Sequence, residues 1–529
     1  MPTAPKSPTP PRWRALLPWI ALAVPSVLYR LPALANADGT NSDAAICGLQ
    51  AMHMLRGELS FFLHGSGYQT SVDSAVAALF FLPFGPSGLA LMISTLAGHL
   101  VLTALAFSIL RRHLPTWSAV IATLPLVLTP GPLHTYILYP PRQASLTLAV
   151  AAFFAVEIAS GSLARLAIGA ALAGLACFAD PYAMIFLPVI GLHALLVARG
   201  DAPAPTDRAT YGRRVAAIAG GGVAGLAPFW LLTHSAGASR GPMTLTAAVL
   251  ARNGKLLWED CLPCLLGTKV YFEKHGSDWG PWQPPAAVRA LEIVGASTFV
   301  AAIAFGAVAF GMSKRVPWGV RRLGLVGAIM APVAIGGFLV SPMVMDFFST
   351  RYLAAITLLA PLALAPAAHL LGTLRLGGAI APYLATAAIA GWVHYGSDVD
   401  GLSIASRAAL ANDEQRLGAL LREKGIRYAV ADYWVTYRLS LLYREAPAFV
   451  PKNPAEDRYK PHRDAFEASP RVAYVYDARR SREPKGEVEA RVRRDDTGFD
   501  PACERLEAGE FTILLLQRKP GADPAKSAL

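Results

Sequence analysis

The residues best suited to chemistry lie early in the chain. Positions 41–69 read NSDAAICGLQAMHMLRGELSFFLHGSGYQ and carry Asp43, His53, His64 and Tyr68; Asp38 stands just before and Asp73 just after. Carboxylates, imidazoles and phenols are groups that move protons or grip a polar substrate. Here they follow directly on the first long apolar run of the chain. Asn41 suits a helix N-cap and Gly57 a C-terminal stop, which predicts a short helix over 41–58 lying at the membrane surface. Ala45, Leu49 and Met52 would form its apolar stripe, with Asp43, Gln50 and His53 off it. Asp43 then occupies the first turn, where the helix dipole favours a carboxylate. An ordinary first-turn acid satisfies the same pattern. Beyond it, Gly65 and Gly67 predict a turn before Tyr68, and Asp73 opens a second apolar segment ending in FGPSG. Residue chemistry alone reaches no further than a polar loop of a polytopic protein.

The elements that hold this loop must be membrane helices. Of 529 residues, 54% are hydrophobic and only 16% charged, whereas soluble domains carry about 25% charged residues. Charges are sparse from roughly 15 to 395 and dense from 396 onward, so the chain divides into a membrane part and a water-soluble tail. A spanning helix needs about 20 apolar residues. About eleven segments answer to this, near 15–34, 86–110, 117–134, 144–160, 164–179, 182–198, 215–234, 290–312, 323–342, 352–371 and 376–395. In lipid the backbone must bond to itself, so such runs are helices. The expected fold is mainly α: a polytopic membrane protein of about eleven transmembrane helices, with a small C-terminal α/β extracytoplasmic domain.

Charge sets the orientation. Lys6, Arg12 and Arg14 precede the first span and place the N-terminus in the cytoplasm. Arg111, Arg112, Arg165, Arg199, Lys314, Arg315 and Arg375 then fall in inside loops, and Arg142 and Arg351 outside. An odd number of crossings puts the tail outside. The net charge of +12 follows from this asymmetry, so no nucleic-acid partner is expected. ALANA, ending at Ala37, has the small residues of a signal-peptidase site, but Arg30 interrupts the run before it. Positions 1–14 are expected to form a Pro-rich disordered cytoplasmic arm and 519–529 a disordered end.

Five cysteines are too few for a disulfide scaffold. Cys261 and Cys264, in CLPC on a long outside loop, can pair there; one two-cysteine motif is weak grounds for zinc. In the tail, 396–518, DEQRLGALLREKGIRYAVADYW predicts helix, glycine stop and strand, and TYRLSLLYRE a second helix. RVAYVYDA and EFTILLLQR read as strands. No phosphate-binding glycine loop or nucleophile motif occurs in it.

The order of these pieces resembles the GT-C superfamily, multi-span glycosyltransferases that use lipid-linked sugars. The likeness rests on an acid soon after the first span, a helix ending in LRGE, an aromatic pair, HGSGYQTSVDS and a segment ending LPFGPSG. It is nearest to the bacterial relatives of protein O-mannosyltransferases and aminoarabinose transferases. IGAALAGLACFADPYAMIFLPVIGL is similar to the fifth and sixth spans of that family, and DFFSTRYLAAITLLAPLAL to its late Arg-Tyr-Leu segment.

The resemblance implies a catalytic acid in the first outside loop, 35–85, which maps onto Asp43; Asp38 is the second choice. It implies a polyprenyl-phosphate-linked sugar donor, surrounding membrane lipids, and a glycan, glycolipid or protein acceptor at the outer face of the bacterial inner membrane. Many members carry a second acid after the third span. Here TPGPLHTYILYPPRQASLTL holds Arg142 and Gln143 but no Asp or Glu. Hard cations need oxygen ligands, usually carboxylates, so neither a required metal nor another cofactor is expected. A polyprenyl phosphate leaves readily once its charge is steadied, and Arg142 and Arg351 can grip phosphate through a bidentate fork. Asp43 would take the acceptor proton, giving inversion. Simpler roles are a headgroup anchor for Arg142 and an ion pair with Asp346 for Arg351. His53, His64, Tyr68 and Asp73 are candidates to line the substrate site, and Asp180 in FADPY reads as an Asp-Pro turn starter.

Two other classes stay open: a transporter, and a carrier-binding protein that has lost transfer. Transporters place ionisable groups within broken spans and repeat their halves; here the candidate acids fall in outside loops and no repeated halves show.

Overall fold

The computed structural model describes residues 12–130, 133–200, 207–235, 245–275, 278–396, 407–479, 481, 484–494 and 497–521. The greater part of each proposed disordered end, 1–11 and 522–529, lies outside these residues.

Every apolar segment read from the sequence is helical over most of its length. Among the described residues six helices are long and apolar enough to cross a membrane: Gly88–Arg111, Pro181–Ala198, Arg208–Leu232, Ala286–Gly311, Trp318–Val340 and Ala365–Tyr395. Leu17–Leu28, Thr116–Val127, Gln143–Glu157, Leu163–Ala179 and Phe347–Ala363 are apolar but shorter. The last long helix is broken at Gly372, whose φ of 70° is outside the helical range; this is where the sequence separates its final two segments. Leu102, Phe107, Phe153, Phe186, Leu323, Met330 and Leu359 belong to the main core of the bundle.

Small residues set one of the close helix contacts. A Cβ on Gly221 would lie 2.2 Å from the Ala167 carbonyl oxygen, and one on Gly225 would lie 2.2 Å from that of Ala171. This four-residue spacing lets the Arg208–Ser235 and Leu163–Ala179 backbones touch, the usual device for packing helices in lipid. Arg30, which interrupts the first apolar run, is fully buried. It donates to the Ser26 carbonyl at 2.8 Å and to the Val127 carbonyl at 3.0 Å, tying the first helix to the end of Thr116–Val127.

The long loop after Arg208–Ser235 contains an antiparallel hairpin, β1 (Tyr271–His275) and β2 (Asp278–Pro281). Cys261 and Cys264 are free and buried, so the disulfide allowed by the sequence is not formed. They behave as small buried apolar groups, with the Cys261 thiol directed at the Asp346 carbonyl.

The tail is a five-stranded mixed sheet of β3 (Tyr428–Ala431), β4 (Ala448–Pro451), β5 (Arg471–Asp477), β6 (Glu504–Ala508) and β7 (Phe511–Gln517), in the order β4-β3-β5-β7-β6. The β3, β4 and β5 strands are parallel and buried on both faces, and read as unbroken apolar runs for that reason. Helices Arg407–Glu423 and Tyr433–Leu442 pack beside Phe449, Val475, Phe511 and Ile513. Arg438 is buried between Glu414, which it pairs with directly, and Asp477, 4.0 Å away.

One expectation needs correction. The first-loop helix, Ser42–Leu55, does not lie on a surface: Ser42 and every residue from Ala44 to His53 are buried. It is covered by Val72–Phe84 on one side and by the tail helix Tyr433–Leu442 on another. Gly48 permits the second contact, since a Cβ there would stand 2.9 Å from Leu441 Cδ2. Of the polar stripe, His53 meets Glu445 of the tail, while Gln50 bonds to the Phe62 carbonyl and the Ser74 hydroxyl of its own loop region.

Candidate active site

The helix Ser42–Leu55 begins and ends as its sequence suggests. The Asn41 side chain accepts the Ala44 N–H at 2.9 Å. At the other end Gly57, with φ 90°, lets its own N–H reach the Met54 carbonyl while Glu58 N–H reaches that of His53, both at 3.0 Å; glycine is the residue that tolerates this left-handed closure. These caps hold Asp43 in the first turn, with its side chain 39% exposed. It is the one residue between Ser42 and His53 that is not buried.

Asp43 is engaged by the tail. Tyr433 donates its phenolic O–H to Asp43 Oδ1, and Arg458 Nη2 donates to the same oxygen at 3.3 Å. Arg458 also donates through Nη1 to the Gly65 carbonyl at 3.1 Å and through Nε to the Tyr433 hydroxyl at 3.3 Å. Tyr68 lies within electrostatic reach of the same guanidinium. Burial pushes the Tyr433 phenol up, and the Asp43 charge pushes it further. Burial alone would lower the Arg458 pKa, but Tyr433 and Asp43 outweigh it and leave it raised. Arg458 is therefore a fixed cation and Tyr433 a fixed donor beside the carboxylate. Asp38, the second choice, is exposed in the turn Ala37–Gly39.

Arg142, Asp73 and Arg351 come together in a second group at the same end of the bundle. Asp73, buried at the start of Val72–Phe84, accepts the Arg142 N–H at 2.8 Å and the Ala144 N–H at 2.9 Å. Arg142 has a φ of 110°, a costly conformation for a side-chain-bearing residue that persists only where surroundings enforce it. The Asp73 carboxylate bridging two amides is one such constraint. The Arg142 side chain then reaches Asp180 Oδ2 at 3.1 Å and lies over the rings of Tyr182 and Tyr352, 5.7 and 5.5 Å from their centroids. Arg351 stacks on Tyr352 at 5.3 Å. Asp346 does not serve mainly as a counter-ion; its carboxylate caps the Phe347–Leu353 turn through the Phe348 N–H at 3.0 Å.

Asp180 is the residue whose part the sequence understated. It does start a turn, accepting the Tyr182 N–H at 2.8 Å. It also accepts Gln69 Nε2 at 2.8 Å, which joins the first loop to Arg142. The segment after the third span lacks an acid of its own, yet Asp73 and Asp180 deliver two to it from elsewhere. Cys47 lies between the two groups: burial pushes its thiol up, and the charges of Asp73 and Asp43 both add to the rise.

His53 and His64 are together but not beside Asp43. His53 Nδ1 lies 3.1 Å from His64 Nε2, and His53 Nε2 lies 2.6 Å from Glu445 of the tail. Glu445, Tyr433 and Arg458 went unnoticed because they belong to a segment that reads as an ordinary soluble domain. At the far end of the Gln143–Glu157 helix, Glu157 pairs with His113 at 2.6 Å and Arg322 at 2.8 Å, in a cleft also lined by Arg112 and Arg214.

No family model and no curated protein sequence matches the chain. Its fold, however, is shared with solved structures. ArnT from Cupriavidus metallidurans, bound to undecaprenyl phosphate, superposes with a TM-score of 0.53 at 12% identity, over 96% of this chain and 98% of that one. The apo oligosaccharyltransferase of Archaeoglobus fulgidus aligns at a TM-score of 0.49 and 14% identity, over 87% of this chain and 69% of that one. The chain thus shares the fold of that ArnT along nearly its whole length.

Proposed function

We propose that the chain is a GT-C-type glycosyltransferase. It moves a sugar from a polyprenyl-phosphate-linked donor to a hydroxyl of a glycolipid, glycan or protein at the outer face of the bacterial inner membrane. The observation that carries this reading is Asp43: an open carboxylate, held by helix caps and by Tyr433 and Arg458, on the fold that ArnT also has. Asp43 accepts the proton of the acceptor hydroxyl as its oxygen attacks the anomeric carbon. The bond from that carbon to the donor phosphate breaks on the opposite face, which inverts the centre, and polyprenyl phosphate leaves. Arg142 and Arg351, stacked on Tyr182 and Tyr352, supply guanidinium charge for the departing phosphate. The test is an Asp43→Asn variant in a strain whose surface glycans are analysed by mass spectrometry. Loss of one glycan species at normal protein level supports the role; an unchanged profile removes it.

A carrier-binding protein without transfer is the second reading. It is favoured by the engagement of Asp43 by Arg458, which occupies the base. Retention of donor lipid by the purified chain with no acceptor modified, in wild type and Asp43→Asn alike, would select it.

A further inference from the structure

The contact between the first loop and the tail contains a set of donors that the transfer reaction does not use. His53 Nε2 and His462 Nε2 approach the same oxygen, Glu445 Oε1, at 2.6 and 2.9 Å. The three ligand-capable atoms lie within 4.8 Å of one another. His53 comes from the buried loop helix; Glu445 and His462 come from the tail. We propose that these residues bind a divalent transition-metal ion of the zinc class, which clasps the tail to the membrane domain.

Two imidazoles and one carboxylate select zinc-like ions over magnesium or calcium, which prefer all-oxygen sets. Zinc bonds of about 2.0–2.2 Å place ligand atoms a little over 3 Å apart. The two histidine–carboxylate separations need to widen by only some tenths of an ångström, and the two histidine nitrogens lie within 4.8 Å of each other. Each histidine must carry its ring proton on Nδ1 so that Nε2 offers a lone pair. For His53 an acceptor for that proton is in place, His64 Nε2 at 3.1 Å. Arg56 donates to the other Glu445 oxygen at 2.6 Å, which orients the carboxylate. Such outer contacts are what fix metal ligands in place. Tyr459 closes one side, its ring 4.5 Å from His53 and 4.8 Å from His462. His53 is 2% exposed, but the Glu445 and His462 side chains are 10% and 11% exposed, which leaves one face through which water can complete four-coordination.

The site is separate from the proposed base. Asp43 and His53 are ten residues apart on one helix, about 15 Å along its axis. The ion's part is structural, and the inference does not depend on the transferase reading.

The test uses the full-length chain in detergent, stripped with a chelator and then titrated with Zn²⁺ alone. One ion per chain is expected, with a rise in the unfolding midpoint as binding to the folded state requires. The double variant His53→Gln/His462→Gln should lose the ion and the rise. His64→Phe should weaken binding about ten- to a hundred-fold. A wild-type chain that takes up no zinc, or a folded double variant that binds as well as wild type, overturns the proposal. Should the double variant not fold, Co²⁺ bound to the wild-type chain decides: intense visible bands of a four-coordinate ion support the site, and the weak bands of a six-coordinate ion overturn it.

Discussion

Asp43 with Arg458 and Asp180 with Arg142 are both carboxylate–guanidinium contacts near one end of the bundle, and they are built in opposite ways. The Arg142 group is internal to the membrane domain. Its side chains are 15% and 3% exposed, and Asp73 locks the Arg142 backbone. The Asp43 group is assembled across 415 positions of sequence, from a loop helix and the tail, with side chains 39% and 23% exposed. A buried, multiply bonded pair is pre-organised, which suits the binding of a fixed charge. A more open pair between two bodies can exchange its partner for a substrate. Under the proposed function the Arg142 group would hold the phosphate and the Asp43 group would meet the acceptor, and only the second would depend on how the tail is docked.

The largest effect is expected at Asp43. Asp43→Asn should lower transfer by about a hundred- to ten-thousand-fold, measured as glycan modification in cells matched for protein level. Asp38→Asn should leave it unchanged. Arg142→Ala should cost about a hundred- to a thousand-fold. Arg142→Lys should restore only part, because an ammonium cannot reproduce the fork or stack on Tyr182 and Tyr352 in the same way. Equal effects of the Ala and Lys variants would mean that Arg142 is a structural partner of Asp180 and no more.

Arg458→Ala tests whether the tail positions the base. A fall in kcat of roughly ten- to a hundred-fold with little change in KM is expected, since Asp43 loses an orienting contact. A rise in rate would instead show that Arg458 obstructs it. Within the tail, Arg438→Ala leaves Glu414 and Asp477 buried without their cation. Removing one member of a buried ion pair costs about 3–5 kcal/mol, read as a lower unfolding midpoint of the tail by hydrogen exchange. A small effect is expected from Gly48→Val. Its side chain meets Leu441, which can turn aside, so loosening of the tail by roughly 1 kcal/mol should lower transfer slightly. Asp43 should feel that loosening and Arg142 should not.

Local features of this protein were legible from the chain alone. Apolar runs specify helices because lipid offers the backbone no other partner. Asn41 and Gly57 bound the loop helix because capping is settled within four residues. The strands of the tail show because the interiors of β5 and β7 are rich in apolar, aromatic and β-branched residues. Even the break between the last two membrane segments has a residue to mark it, Gly372. The same locality placed Asp43 in a first turn and Asp180 at an Asp-Pro turn.

What surrounds those residues was decided by tertiary structure. Asp73 reaches the Arg142 amide across 69 positions, Gln69 reaches Asp180 across 111, and Tyr433 reaches Asp43 across 390. No periodicity or spacing encodes such pairs, because each depends on which elements the whole bundle brings side by side. The loop helix looked like a surface helix for the same reason: one apolar stripe is visible in sequence, but the partners that bury its polar side are not. Composition and local geometry thus settled the scaffold, the family resemblance singled out Asp43 as the candidate acid, and long-range packing alone chose the cations and hydroxyls that face it.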